Sequence, residues 1–381
     1  MLYAIFVPLI REYTFLNVFT YITFRAAGAA VTALLLSFIV GPIILRLLRE
    51  RAYHQVVREG TPDSHLSKGT TPTMGGLIIL FCSLGSVLLW ARMTSRYTVL
   101  ALIVTAAMGV IGFLDDVLKL RQKRRGEKNE GLVERYKLVG QVVIGVLLGY
   151  YLWQFPLSPN LPGASTTLPF YKYVLVVPAA AALEWIYVLF TTFILVGVSN
   201  SVNLTDGIDG LAAGLSAIAF ATLAVFAYVI GRVDTSRYLG VFYLHNAGEL
   251  TIFCAAMVGA LIGFLWFNAY PAQVFMGDTG ALALGGGIGA VAILLKSEFL
   301  LIFIGFVFMV ETFSVLGQRF VFKYRRKRYG LEYAQKNRLL LRAPLHHHME
   351  LKGWAEPQVV VRFWIIGVLF AVLALSTLKL R

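Results

Sequence analysis

The chain has 381 residues, 58% of them hydrophobic and 14% charged, with a formal net charge of +14 at pH 7. At this length a mean hydropathy of +0.73 excludes an ordinary soluble domain and specifies a polytopic membrane protein. The cationic excess fits anionic lipid headgroups, so a lipid bilayer and no nucleic acid is the expected partner.

Apolar runs long enough to cross a bilayer as helices fall at about 20–44, 74–92, 97–114, 137–153, 185–200, 210–231, 248–267, 279–296, 298–317 and 359–378. The predicted architecture is therefore an all-α, polytopic integral membrane protein of about ten transmembrane helices, forming a single domain over 1–381. The moderately apolar stretch from Val174 to Leu183 leaves room for a partial extra segment. A cleavable signal peptide is not expected, because the first strong span carries Arg25 and lacks a small-residue cleavage site after it. Loops are expected at about 45–73, 115–137, 200–209, 268–279 and 318–358, and they hold most of the 34 Lys and Arg. By the positive-inside rule these loops are cytoplasmic and both termini are periplasmic. Cys82 and Cys254 lie inside apolar runs and offer no disulfide framework or metal site.

In chain order, the first loop ends in Lys68-Gly69-Thr70-Thr71-Pro72-Thr73-Met74-Gly75-Gly76, where a lysine beside small hydroxyl residues suits a phosphate, or simply a helix start. The third span ends in Phe113-Leu114-Asp115-Asp116. Adjacent aspartates diverge by about 100° on a helix, so one can face a reaction centre while its neighbour contacts metal or supporting groups. Lys119 lies over the same face; a solvated helix end with a local ion pair is the competing reading.

The segment Asn203-Leu204-Thr205-Asp206-Gly207-Ile208-Asp209-Gly210 repeats Asn203, Asp206 and Asp209 every three residues. Capping competes with ligand binding here, and the twelfth-position Glu of an EF-hand is missing. Asn268 opens the next cytoplasmic motif, which continues to Phe275-Met276-Gly277-Asp278-Thr279-Gly280. Asp278 either caps the following helix, as Thr279 also could, or ligates a divalent cation on a diphosphate. Phe275 is an interfacial anchor or a stacking platform for a base. Gly285, Gly286, Gly287 and Gly289 fit close helix contacts. Glu311, inside the ninth run, reads as a packing or groove-lining acid. A final loop concentrates half of the six histidines in His346-His347-His348. Three consecutive histidines cannot face one ion on a regular helix, so contact with phosphate or a carboxylate is the better reading.

Together TPTMGG, FLDD, SNSVNLTDGIDGLA, FMGDTGALALGG, ETFSVLGQ and APLHHHMELKGW, running in order from about Lys68 to Phe363, resemble the phospho-N-acetylmuramoyl-pentapeptide transferase family of the polyprenyl-phosphate N-acetylhexosamine-1-phosphate transferases. The resemblance implies a bacterial inner-membrane enzyme of peptidoglycan synthesis. It would join UDP-MurNAc-pentapeptide to undecaprenyl phosphate with Mg²⁺, giving lipid I and UMP, and a homodimer is compatible with it. It further implies Asp278 as metal ligand, Asp115, Asp116 and His347 as catalytic partners, and Lys68 and Lys119 on phosphates. Asn203, Asp206, Asp209, Asn268, Phe275, Gln318, His346 and His348 would bind nucleotide sugar. One-step displacement and a two-step route through a phosphorylated Asp278 or Asp115 both fit. Two departures stand out: TTPTMGG replaces the family's GTPTMGG, and a basic stretch lies near Lys323 to Arg338. The competing readings are a GlcNAc-1-phosphate transferase of the same superfamily and a secondary transporter. The acids gather at one face rather than at the membrane midplane, which favours an enzyme.

Overall fold

The computed structural model describes residues 1–50, 71–124, 134–159, 161–171, 173–176 and 181–379; Lys68 lies outside them. The chain opens with a short helix, α1 (Leu2–Phe6), and two tight helical turns, Pro8–Arg11 and Thr14–Thr20. The helices α2 (Ile22–Glu50), α3 (Gly76–Trp90), α4 (Arg96–Arg124), α5 (Glu134–Gln154) and α6 (Ala181–Thr205) follow. Between α5 and α6, strands β1 (Ser165–Thr167) and β2 (Val174–Val176) pair antiparallel with Thr166 opposite Leu175. The second half holds α7 (Leu211–Ile230), α8 (Val233–Leu239), α9 (Glu249–Asn268), α10 (Gly277–Leu294) and α11 (Leu301–Ile304). It closes with α12 (Phe306–Tyr329), α13 (Leu331–Lys336), α14 (Leu345–Leu351) and α15 (Glu356–Ser376).

Among the described residues, eight helices are long and apolar enough to cross a membrane, namely α2, α4, α5, α6, α7, α9, α10 and α15. The protein is a multi-pass membrane protein of the all-α class, with the short β1–β2 pair as its one strand element among the described residues. Two of the ten expected spans differ. The run at 74–92 forms only the 15-residue α3. The run at 298–317 is a broken pair, Glu298–Ile304 and Phe306–Tyr329, meeting at 84°. Gly305 sits at the break with its N–H on the Leu301 carbonyl at 2.7 Å. An unbroken apolar run hides such a bend, because hydropathy measures length and not direction.

The helices also outrun their apolar segments. Where loops were expected from 115, 200 and 318, α4 continues to Arg124, α6 to Thr205 and α12 to Tyr329. The basic Lys323–Arg328 stretch is thus helical, and the aspartate pair, read as ending the third span, sits well inside α4.

At the centre lies α10, whose residues from Thr279 to Leu294 are all buried. It packs against α3, α4, α6 and α7. Lipid gives no hydrophobic drive for helices to associate, so close backbone approach must supply the contact. A β-carbon on Gly285 would lie 2.5 Å from Ser199 Cα, and one on Gly286 would lie 2.6 Å from the Met108 side chain. At the helix's start the fit is tighter: a β-carbon on Gly76 would be 2.1 Å from the Gly280 nitrogen, and one on Gly112 2.2 Å from the Asp278 carbonyl oxygen. The backbones of α3 and α4 therefore hold the beginning of α10, where the polar motifs meet.

Candidate functional site

Gly277, at φ +72°, turns the chain into α10 and exposes the first amides of the helix. Asp116 reaches across from α4 to fill that end. Its carboxylate accepts the N–H of Asp278 at 3.3 Å, the N–H of Thr279 at 2.9 Å and the Thr279 hydroxyl at 2.6 Å. A carboxylate on free helix amides is a strong cap. The cap read as Asp278's or Thr279's is thus supplied by Asp116, from another helix.

Relieved of capping, the Asp278 side chain turns to three donors. Its Oδ2 accepts from Lys119 Nζ at 2.8 Å and Lys137 Nζ at 2.6 Å, and its Oδ1 accepts from Asn203 Nδ2 at 2.7 Å. Lys119 also pairs with Asp115 at 2.6 Å, and Lys137 stands 3.8 Å from the same carboxylate. Asp115 and Asp116 are buried. Asp115, Asp116 and Asp278 each offer an oxygen within 4.8 Å of the others. Hard carboxylate oxygens at that separation suit a divalent cation such as Mg²⁺. Lys137 went unnoticed in the sequence, where nothing separates it from the other cations between 119 and 137. Only its place in the first turn of α5 brings it to the cluster.

The segment around Asp206 connects α6 to α7 beside this cluster. Burial pushes the Asp206 carboxyl up to about 8, and the charges of Asp278, Asp116 and Asp209 push the same way, against a hydrogen bond from the Gly277 N–H. Asp209 is buried, accepts the Ala272 N–H at 3.0 Å, and donates its own N–H to Glu356 at 2.8 Å. Asn268 accepts the Gly210 N–H at 3.1 Å and donates to the Val274 carbonyl at 2.8 Å. Both were expected on substrate; in this structure these bonds sew two motifs together.

The TPTMGG segment adds an edge. Phe275 donates its N–H to the Pro72 carbonyl at 2.9 Å, while Gly75 and Gly76 donate to the carbonyls of Phe275 and Met276, each at 2.8 Å. The Phe275 ring remains half-exposed.

The histidines divide along α14. His346 is fully buried. His347 Nδ1 lies 2.8 Å from Glu350 Oε2, and His348 Nδ1 accepts the Leu341 N–H at 3.1 Å. Burial lowers His347 to about 4, with the charges of His346 and Arg342 acting in the same sense against the hydrogen bond that Glu350 accepts. His347 is therefore neutral at pH 7, and His348 is lowered too, by burial and then by Lys352. Gln318 holds the same loop, accepting the Leu340 N–H at 2.9 Å and donating to its carbonyl at 3.4 Å. Asp115, Asp116, Lys119, Asn203 and Asp278 thus form one cluster with Asp206 beside it, whereas Gln318 and His348 fasten the chain around Leu340.

Fold and site together define a polytopic membrane protein with a half-buried carboxylate–lysine centre at one end of its bundle. Residues 98–296 match the family described as Glycosyl transferase family 4. A phospho-N-acetylmuramoyl-pentapeptide-transferase of Gemmatimonas aurantiaca is 70% identical over 381 residues, covering all of both chains. Proteins of the same name from Syntrophus aciditrophicus and Chlorobium chlorochromatii are 48% identical over the whole of both chains and 46% identical over 98% of this chain and 97% of the relative. The chain belongs to the phospho-N-acetylmuramoyl-pentapeptide-transferase family.

Proposed function

We propose that the protein transfers phospho-MurNAc-pentapeptide from UDP-MurNAc-pentapeptide to undecaprenyl phosphate in the bacterial inner membrane, producing lipid I and UMP. The observation that carries this reading is the convergence of Asp115, Asp116, Asp278, Lys119 and Lys137 on one point, in a chain so similar over its whole length to transferases of that name. An oxygen of the lipid phosphate forms a bond to the sugar-bearing β-phosphorus as the bond from that phosphorus to the UMP oxygen breaks. One diphosphate replaces another, and the residues needed are those that position and neutralise phosphates.

Asp278, with Asp115 and Asp116 near it, would hold Mg²⁺, which when bound neutralises charge on the diphosphate. Lys119 and Lys137 lie between the same carboxylates and are free to move onto phosphate oxygens once a cation takes up the acidic charge. Asp115 orients the attacking phosphate or takes its proton, and Asp116 keeps α10 aimed at the centre. Asn203 and Asp206 serve the sugar diphosphate, the half-exposed Phe275 ring serves the uracil, and neutral His347 donates to or accepts from the nucleotide. Lys68 is assigned to a phosphate on its motif alone. The basic termini of α4 and α12 support a cytoplasmic setting for this end of the bundle.

The test is an assay of the purified chain in lipid with radiolabelled UDP-MurNAc-pentapeptide and undecaprenyl phosphate. Labelled lipid and UMP in equal amounts are expected, dependent on Mg²⁺. Product from UDP-GlcNAc instead, or none from either, would defeat the reading.

A further inference from the structure

A second polar assembly lies behind the site, built around Glu311 of α12. Glu311 is fully buried, a costly place for an acid unless it is engaged. Its Oε2 accepts the Leu345 N–H at 2.8 Å and its Oε1 the His346 N–H at 3.1 Å. The carboxylate thereby anchors the start of α14. The His346 ring, itself without exposed surface, brings Nδ1 to 3.2 Å from Glu311 Oε2. Neither ring nitrogen makes a hydrogen bond. The other side of the ring presses on the turn after Asp206, where a β-carbon on Gly207 would lie 2.3 Å from His346 Nε2. A buried ring in such contact cannot reach a bound nucleotide without leaving its place.

We infer that Glu311 and His346 are positioning residues for the transfer reaction: Glu311 fixes α14, and the His346 ring, wedged against Gly207, sets where the Asp206 turn and His347 stand. The inference rests on the proposed function for what is positioned, while the mechanical link can be measured without activity. His347 and His348, both partly exposed beside it, are the members of the triplet left to meet substrate. Gly207 is required as glycine because the ring occupies the space of its side chain.

The link predicts reciprocal effects between segments over a hundred residues apart. Hydrogen–deuterium exchange on the full chain in lipid nanodiscs should show Gly207→Ala raising exchange in 345–351, and Glu311→Gln raising it in 203–210. Exchange confined in each case to the mutated segment would overturn the inference, whatever the activity of the wild type. Turnover gives a second reading. Gly207→Ala alone should lower kcat/KM by about tenfold or more, and adding it to His346→Ala should lower it no further, since the methyl then meets no ring. Multiplying losses in the double variant would mean that the two residues act independently, against the proposal. Glu311→Gln, which keeps one acceptor, should fall between wild type and Glu311→Leu in kcat/KM at the same folded fraction. Losses that track only the folded fraction would reduce Glu311 to a packing residue and likewise overturn the assignment.

Discussion

The two ends of α10 both carry buried charge, and they differ in balance. At its start, three carboxylates meet two lysines drawn from two other helices. Beyond its end, the buried Lys296 donates to Tyr187 at 2.9 Å and to the Gly163 carbonyl, while Glu298 accepts from Thr166 at 2.6 Å. Thr167 closes onto the Lys296 carbonyl through its N–H at 2.9 Å and its hydroxyl at 2.7 Å. Lys296 and Glu298 match in charge and are tied to one hairpin. That end fastens β1 to the bundle, whereas the acidic end sets three carboxylates against two lysines, a group that could hold a metal ion.

The largest effect is expected of Asp278→Asn. Removing the carboxylate shared by both lysines and Asn203 should cost at least about a hundredfold in turnover, read as labelled lipid formed by folded enzyme. Turnover near wild type would make the two ends equivalent. Asp115→Asn should lower kcat and alter the acidic limb of its pH profile while UDP-sugar binding, measured by calorimetry, persists. Collapse of binding with chemistry intact at saturation would reassign Asp115 as a binding residue.

Lys137→Met should have a smaller effect. It deletes one charge-assisted bond of about 1.5–3 kcal/mol, so a loss of roughly ten- to a hundredfold in kcat/KM is expected. The smallest effect on turnover belongs to Lys296→Met. Deleting the ammonium that donates to Tyr187 and the Gly163 carbonyl should cost about 1.5–3 kcal/mol of stability, seen as a lowered thermal midpoint, with turnover per folded molecule unchanged. A fall in that turnover would show that the far end also serves the reaction.

Much of the site was legible because charged and strongly polar groups are expensive near hydrocarbon: Asp115, Asp116, Asn203 and Asp278 each announce themselves at the end of an apolar run, and the structure joins them. What stayed hidden was relational. Lys137 looks like any loop cation, Asp209 and Asn268 bond to distant backbone, and the bend at Gly305 leaves hydropathy unchanged. The Lys296–Glu298 fastening falls between two apolar runs, where a lysine and a glutamate look like an ordinary exposed turn.

The cap that Asp116 places on α10 bears on how inactive variants should be judged. Alanine at 116 would uncover the first amides of the central helix and let its opening turn drift, silencing Asp278 without touching substrate. An assay would score that as a missing catalyst. Asparagine, which keeps an oxygen for those amides, is the fairer replacement, and the gap between the two variants measures how much of Asp116's importance is architecture.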